Sequence, residues 1–166
     1  LSVRQFSVGA GTLVFAAHHT GTDAELDRFV GDVEKIVRQE GAIYGEFPPY
    51  EPETYTFIAD YLPYATEDGM EHRNSTVMTS RVSIKNSPFS LLDTVAHEFF
   101  HSWNVERIRP QALEPFDLNR TNMSGELWLA EGFTQYYGGL VLSRAGLADQ
   151  PTTLETFGGL ITSVVL

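Results

Sequence analysis

The five residues His97-Glu98-Phe99-Phe100-His101 restrict what this chain can fold into more than any other stretch. They sit in a run from Leu91 to Trp103 that contains no helix breaker. On a helix, residues four apart project from one face, one turn apart. That spacing lets two imidazoles reach one metal ion and sets Glu98 beside it as a candidate general base. On the same wheel Leu92, Ala96, Phe99 and Trp103 form an apolar stripe, and the two histidines lie nearly opposite it. The fold must therefore press one face of this helix onto a core and leave the other free for further ligands. With 5 His in 166 residues, chance rarely frames a Glu with two of them in this way.

A chain of 166 residues is one domain in size and can bury roughly 70% of its unfolded surface. Lys and Arg number 11 against 22 Asp and Glu, a net charge of −11. That balance argues against nucleic-acid and anionic-membrane partners and mildly favours substrates with a positive end. With no cysteine, disulfides and thiolate metal sites are excluded and the redox compartment stays open. No apolar run approaches the ~20 residues of a membrane span. Leu1-Ser2-Val3-Arg4 is not a signal peptide, and the chain stops within the apolar Leu160–Leu166, so both ends read as cut from a longer protein. Localisation is left open.

Along the chain, Val3 to Val8 and Thr12 to Ala17 read as a hairpin around Gly9-Ala10-Gly11. His18 and His19 follow as strand-end residues that point to opposite faces. Thr22-Asp23-Ala24-Glu25 is a capping box. It opens a helix with Leu26, Phe29, Val30, Val33, Ile36 and Val37 in period, which Gly41 is expected to close. Thr54 to Leu62 and Ser75 to Ile84 read as strands, with Thr66 to Asn74 a polar turn between them. Ser87 as N-cap and Pro88 at the first position open the histidine helix, which is expected to run to about Trp103. Residues 105 to 124 form a long loop of the kind that is functional or mobile. Ser124 caps a helix from Glu126 to about Arg144, ended by Gly146, and Thr152-Thr153-Leu154-Glu155 opens a last one. The expected class is α+β. A small mixed or antiparallel sheet with one helix occupies residues 1–85, and a helical half that carries the site occupies 86–166.

Two histidines do not complete a catalytic zinc site, which takes a third protein ligand and keeps a position for water. The metzincin pattern needs Gly and His at 104 and 107, where this chain has Asn104 and Arg107. The remaining pattern is His, His, Glu, with the Glu on a later helix. Glu131 is the candidate, on a helix apolar enough to predict burial, and a buried carboxylate needs a partner such as a metal. Glu126 is the reserve. Asp93, one turn before His97, is a candidate to orient that ring. Arg107 and Arg109 suit either a substrate carboxylate or structural salt bridges.

The segment from His97 through Trp103 to Pro110, followed by Trp128-Leu129-Ala130-Glu131-Gly132-Phe133-Thr134-Gln135-Tyr136-Tyr137, resembles the glycyl aminopeptidase family of metallopeptidases. Gly69-Met70-Glu71-His72-Arg73-Asn74-Ser75 resembles that family's Gly-x-Glu-His strand. The family belongs to the gluzincins, whose catalytic domains are zincin folds like thermolysin. The resemblance spans about residues 69 to 140. It implies one zinc per chain on His97, His101 and Glu131, with Glu98 as general base. It implies that Glu71, and with it His72, meets a free α-amino group, and that the substrates are peptides with a free amino terminus, with Gly or Ala preferred. Family members also carry an amino-terminal β domain and often a PDZ domain, which the resemblance implies for the full-length protein. Related enzymes use a downstream tyrosine to stabilise the transition state. Tyr136 and Tyr137 are the nearby candidates, against the plainer reading of packed helix tyrosines. A zinc aminopeptidase is thus expected, with an endopeptidase of the same chemistry and a non-catalytic metal-binding or interaction fragment as alternatives.

Overall fold

The computed structural model describes residues 1–165. Strands β1 (Ser2–Val8) and β2 (Gly11–His19) lead into helix α1 (Asp23–Tyr44). Strands β3 (Thr54–Tyr61), β4 (Asp68–His72) and β5 (Ser75–Ser80) follow, then helix α2 (Phe89–Phe100). A 3-10 turn (Gln111–Leu113), a π-helical segment (Trp128–Phe133), α3 (Thr134–Arg144) and α4 (Gln150–Val165) complete the chain. The architecture is α+β, with a mixed five-stranded sheet in the order β1-β2-β3-β5-β4. β1 and β4 are its edges and pair antiparallel, whereas β2–β3 and β3–β5 are parallel. Parallel neighbours need a crossover, and α1 supplies the one between β2 and β3.

Strand alternation places the core on one face of the sheet. Leu13, Phe15 and Ala17 of β2 sit opposite Tyr55, Phe57 and Ala59 of β3, and all six are buried. The periodic face of α1 covers them, with Phe29 edge-on to Phe15 at 5.7 Å between ring centres. α2 closes the other half of the same core, where Phe99 meets Tyr55 edge-on at 5.0 Å. Leu92, Ala96, Phe99 and Trp103, the stripe read from the sequence, are all buried. No helix among the described residues is long and apolar enough to cross a membrane.

Several boundaries differ from the sequence reading, each for a local reason. The capping box at Thr22 and Glu25 is present, but α1 does not stop at Gly41. It runs one turn further to Gly45, which takes the left-handed conformation at φ 78°. Gly41 instead admits the Phe47 ring, since a Cβ there would fall 2.3 Å from it. Residues 68 to 72, read as part of a turn, form the edge strand β4. Pro88 precedes α2 without a side-chain cap, Ser87 having left-handed φ of 47°. Regular α-helical bonding ends at Phe100 rather than Trp103, and irregular turns carry the chain on, tighter at Ser102 and Trp103 and wider at Glu106 and Ile108. The helix expected from Glu126 opens as a Ser124–Glu126 turn and a π-helical segment before α3 begins. α4 starts at Gln150, where Asp149 Oδ1 accepts from the Thr152 amide at 2.9 Å.

Glu40 of α1 is fully buried, and neither carboxylate oxygen has a hydrogen-bond partner. Burial pushes its carboxyl well above the ordinary carboxylate range. A folded pKa above the unfolded one means that stability is full below the unfolded value and is lost as pH rises toward the folded one. Glu40→Gln should therefore stabilise the chain at pH 8 by about 1–3 kcal/mol and change it little at pH 4. Thermal unfolding of both proteins at the two pH values checks this, and an equal shift at both would remove the buried-charge explanation.

Candidate metal centre

The fold brings His97, His101 and Glu131 together so that one donor atom from each lies within 4.8 Å of the others. His97 comes from the last turn of α2, and His101 from the residue just past it, still in helical conformation. Glu131 comes from the π-helical segment, which packs beside α2 through α3. The separations are 3.2 Å between the two Nε2 atoms, 3.1 Å from Glu131 Oε2 to His97 Nε2 and 3.6 Å to His101 Nε2. Donors at ~2.0–2.1 Å around a tetrahedral ion stand about 3.3 Å apart, so the set fits one such ion.

The hydrogen bonds behind the rings agree with that fit. His101 Nδ1 lies 2.7 Å from the Asn104 carbonyl oxygen, and His97 Nδ1 lies 3.2 Å from Gln135 Oε1. The tautomer in which each Nδ1 donates to its oxygen directs an Nε2 lone pair at the shared space. Two lone pairs and a carboxylate converging there repel one another unless a cation lies between them. The electrostatics follow the same geometry. With a proton on Nε2 in place of an ion, hydrogen bonds from His101 and then His97 hold the Glu131 carboxyl well below the usual range. Burial opposes charge on His101, but its bonds to Glu131 and the Asn104 carbonyl outweigh this and raise its pKa.

Glu98 lies on the other side of these donors, 6% exposed, with its Oε2 unpartnered. Burial pushes its carboxyl up to about 7, His97 and His101 pull it back, and Glu71 and Glu131 add to the rise. Gly69 of β4 lies against it so closely that a Cβ would fall 2.2 Å from Oε1. Glu71, two residues along the same face of β4, groups with Glu98 and His101 within 4.8 Å. His72 alternates to the opposite face, is exposed and belongs to neither group.

Other sequence candidates are placed differently. Glu131 is not buried as expected, because its side chain is 54% exposed on a segment that also exposes Trp128 and Phe133. Asp93 makes no hydrogen bond to His97 among the described residues and its Oδ1 has no partner; the side chain that meets His97 is Gln135, with Oε1 3.2 Å from Nδ1. Glu126 bonds the Ser124 hydroxyl at 2.6 Å, away from the histidines. Tyr136 borders a cavity beside His97 and Glu131, whereas Tyr137 stacks on Phe100 at 5.1 Å. Arg107 bonds the carbonyls of Ser102 and Pro49, and Arg109 pairs with Glu106 and Glu114, so both are engaged in the scaffold.

Two contributors were missed in the sequence. Gln135 stands four residues after Glu131, a spacing that placed it on the ligand face. Asn104 is buried, and its Nδ2 donates to the Leu129 carbonyl at 2.9 Å, the Ala130 carbonyl at 3.2 Å and Thr134 Oγ1 at 3.1 Å. The Thr134 hydroxyl also donates to the Ala130 carbonyl at 2.6 Å, so this amide and that hydroxyl together tie the turn before Glu131 to the end of α2.

The M61 glycyl aminopeptidase family matches residues 90–165. Two yeast proteins named leucine aminopeptidase 2, from Vanderwaltozyma polyspora and Candida glabrata, are each 31% identical over 130 and 134 residues. Each alignment covers 78% of this chain but only 17% of the relative. The crystal structure of an aminopeptidase N family protein from Idiomarina loihiensis superposes with a TM-score of 0.76 at 26% identity. That match covers 92% of this chain and 27% of the other. The chain thus spans less than a third of the length of each of these relatives, and it belongs with the M61-like peptidases.

Proposed function

We propose that the chain is the zinc-binding catalytic part of an aminopeptidase with a zincin, thermolysin-like arrangement, acting as one unit over residues 1–166. The observation that carries this is the convergence of His97, His101 and Glu131 with the buried Glu98 beside them. Two neutral imidazoles and one carboxylate suit zinc among the divalent ions. An ion held there supplies Lewis-acid activation of water and of the scissile carbonyl. Glu98, with a carboxyl near neutrality, accepts a proton from the attacking water and delivers it to the departing nitrogen as the C–N bond breaks. Burial keeps that carboxylate short of solvent and so strengthens its interaction with the proton it moves.

Glu71 sets where the bond is cut. Its carboxylate beside Glu98 and His101 gives a free α-ammonium an ion-pair partner one residue from the reacting carbonyl. A preference for Gly or Ala, and the β and PDZ domains of a longer protein, follow from the family likeness alone. The decisive experiment combines elemental analysis with a blocked substrate. About one zinc per chain, cleavage of glycyl and alanyl anilides, and no cleavage of their N-acetyl derivatives are the expected results. Equal cleavage of blocked and free substrates would make the chain an endopeptidase, and no retained metal after reconstitution would leave a non-catalytic fragment.

A further inference from the structure

A cavity of about 720 Å³ opens beside the metal centre, with His97 and Glu131 themselves in its wall. Gly132 and Tyr136 form its floor, and Leu160 and Ile161 of α4 face them. Gly132 and Tyr136 stand four residues apart and so share a face. Nothing lies within 4 Å of where a Cβ on Gly132 would stand, so the space above it is open. Two contacts set α4 against this floor. Phe157 stacks on Tyr136 at 5.3 Å between ring centres. Gly139 of α3 lets α4 approach, since a Cβ there would fall 3.3 Å from Thr156 Cγ2. Leu160 and Ile161, three and four residues after Phe157, carry the same face of α4 one turn further. Apart from the two metal donors, the polar side chains in the wall are Gln135, engaged with His97, and Ser163. No Lys, Arg or further carboxylate borders the cavity among the described residues. Tyr136 is nonetheless 47% exposed and Ile161 66% exposed. Apolar surface left in water beside a metal centre gains by being covered when a ligand binds there.

Direction along the cleft decides which part of a substrate covers it. Glu71 groups with His101 and Glu98, whereas the cavity borders His97 and Glu131 and none of those three. The metal centre therefore lies between Glu71 and the cavity. With the substrate's ammonium at Glu71 and the scissile carbonyl at the three donors, the peptide runs on past His97. Its next Cα lies ~3.8 Å further along, which brings the following side chain to the mouth of the cavity. We propose that this cavity receives the side chain of the second residue of the peptide and selects a large apolar one, with Leu160 and Ile161 setting the preference. The proposal rests on the aminopeptidase reading, because Glu71 sets the direction of the chain. An apolar wall without counter-charge favours each buried methylene and disfavours a charged group that must shed its water.

Three substrates test the seat: Gly-Leu-amide, Gly-Ala-amide and Gly-Glu-amide, with the zinc-loaded chain. In wild type, kcat/KM for the Leu substrate should exceed that for Ala about tenfold, and the Glu substrate should be cleaved least. The Leu160→Ala/Ile161→Ala double variant should compress the Leu-to-Ala ratio to about twofold. Ile161→Lys should raise cleavage of Gly-Glu-amide above wild type by about fivefold, a gain that a damaged fold cannot produce. Binding is read separately on the metal-free chain. Leucine amide, the product that leaves from this seat, should shift the methyl NMR signals of Leu160 and Ile161, and alanine amide should shift them less. A Leu-to-Ala ratio near one in wild type, a ratio unchanged in the double variant, or methyl signals unmoved by leucine amide overturns the subsite and leaves the aminopeptidase reading intact. Cleavage of none of the three substrates by the zinc-loaded chain overturns that reading and the subsite with it.

Discussion

Glu98→Gln should lower kcat by about 10²–10⁴-fold while the chain keeps its full complement of metal. The substitution preserves shape and volume, so Gly69 still meets a planar group of the same size, and no donor of the metal trio is touched. What disappears is the oxygen proposed to accept the proton of the attacking water. The variant should not unfold more easily than wild type, since it replaces a buried carboxyl that has an unpartnered oxygen with a neutral amide. Low activity together with an unchanged or raised melting temperature therefore points to chemistry rather than to damage. Glu131→Ala provides the contrast. It leaves two imidazoles without their third partner and should lose the metal as well as the activity. The checks are elemental analysis, thermal unfolding and kcat on glycyl anilide for all three proteins. A Glu98→Gln chain within about threefold of wild-type kcat would remove Glu98 from the reaction.

The features legible in the sequence were those whose chemistry dictates spacing. His97, Glu98 and His101 stand on one helical turn, and the apolar stripe behind them is the one the sheet buries. The capping box at Thr22 and the hairpin at Gly9 were legible because each needs only local hydrogen bonds or local φ values. Features that depend on distant partners were hidden. β4 is a short polar edge strand whose inward positions hold Gly69 and Glu71 rather than apolar residues, so alternation gave no signal. Gly41 looked like a helix end because nothing local announces the Phe47 ring that rests on it. Glu131 was expected to be buried because a uniform α-helix was assumed. The π-helical segment instead turns Trp128 and Phe133 outward together with it. The roles of Asn104 and Gln135 follow from that segment and from the α2–α3 contact, and neither is a property of a short window of sequence.

Asn104 accordingly carries the second large effect. Its side chain joins the end of α2 to the π-helical segment and donates to the carbonyls of Leu129 and Ala130, the two residues just before Glu131. Its own backbone carbonyl accepts from His101 Nδ1. In Asn104→Ala the backbone bond to His101 survives and the Ala130 carbonyl keeps the Thr134 hydroxyl, but the part-buried Leu129 carbonyl loses this donor, at a cost of about 1–3 kcal/mol. The melting temperature should fall by roughly 5 °C. Metal affinity should fall by about 10–100-fold, because Glu131 is no longer held against the two imidazoles. Asn104→Asp keeps the volume but turns carboxylate oxygens toward those same carbonyls, so it should be worse than Ala on both counts. Thermal unfolding without metal and competition with a coloured chelator measure the two losses separately. A variant that loses stability but keeps wild-type affinity would mean that the π-helical segment holds Glu131 without Asn104. If both are lost in the order wild type, Ala, Asp, one buried amide joins the geometry of the third donor to the end of the histidine helix.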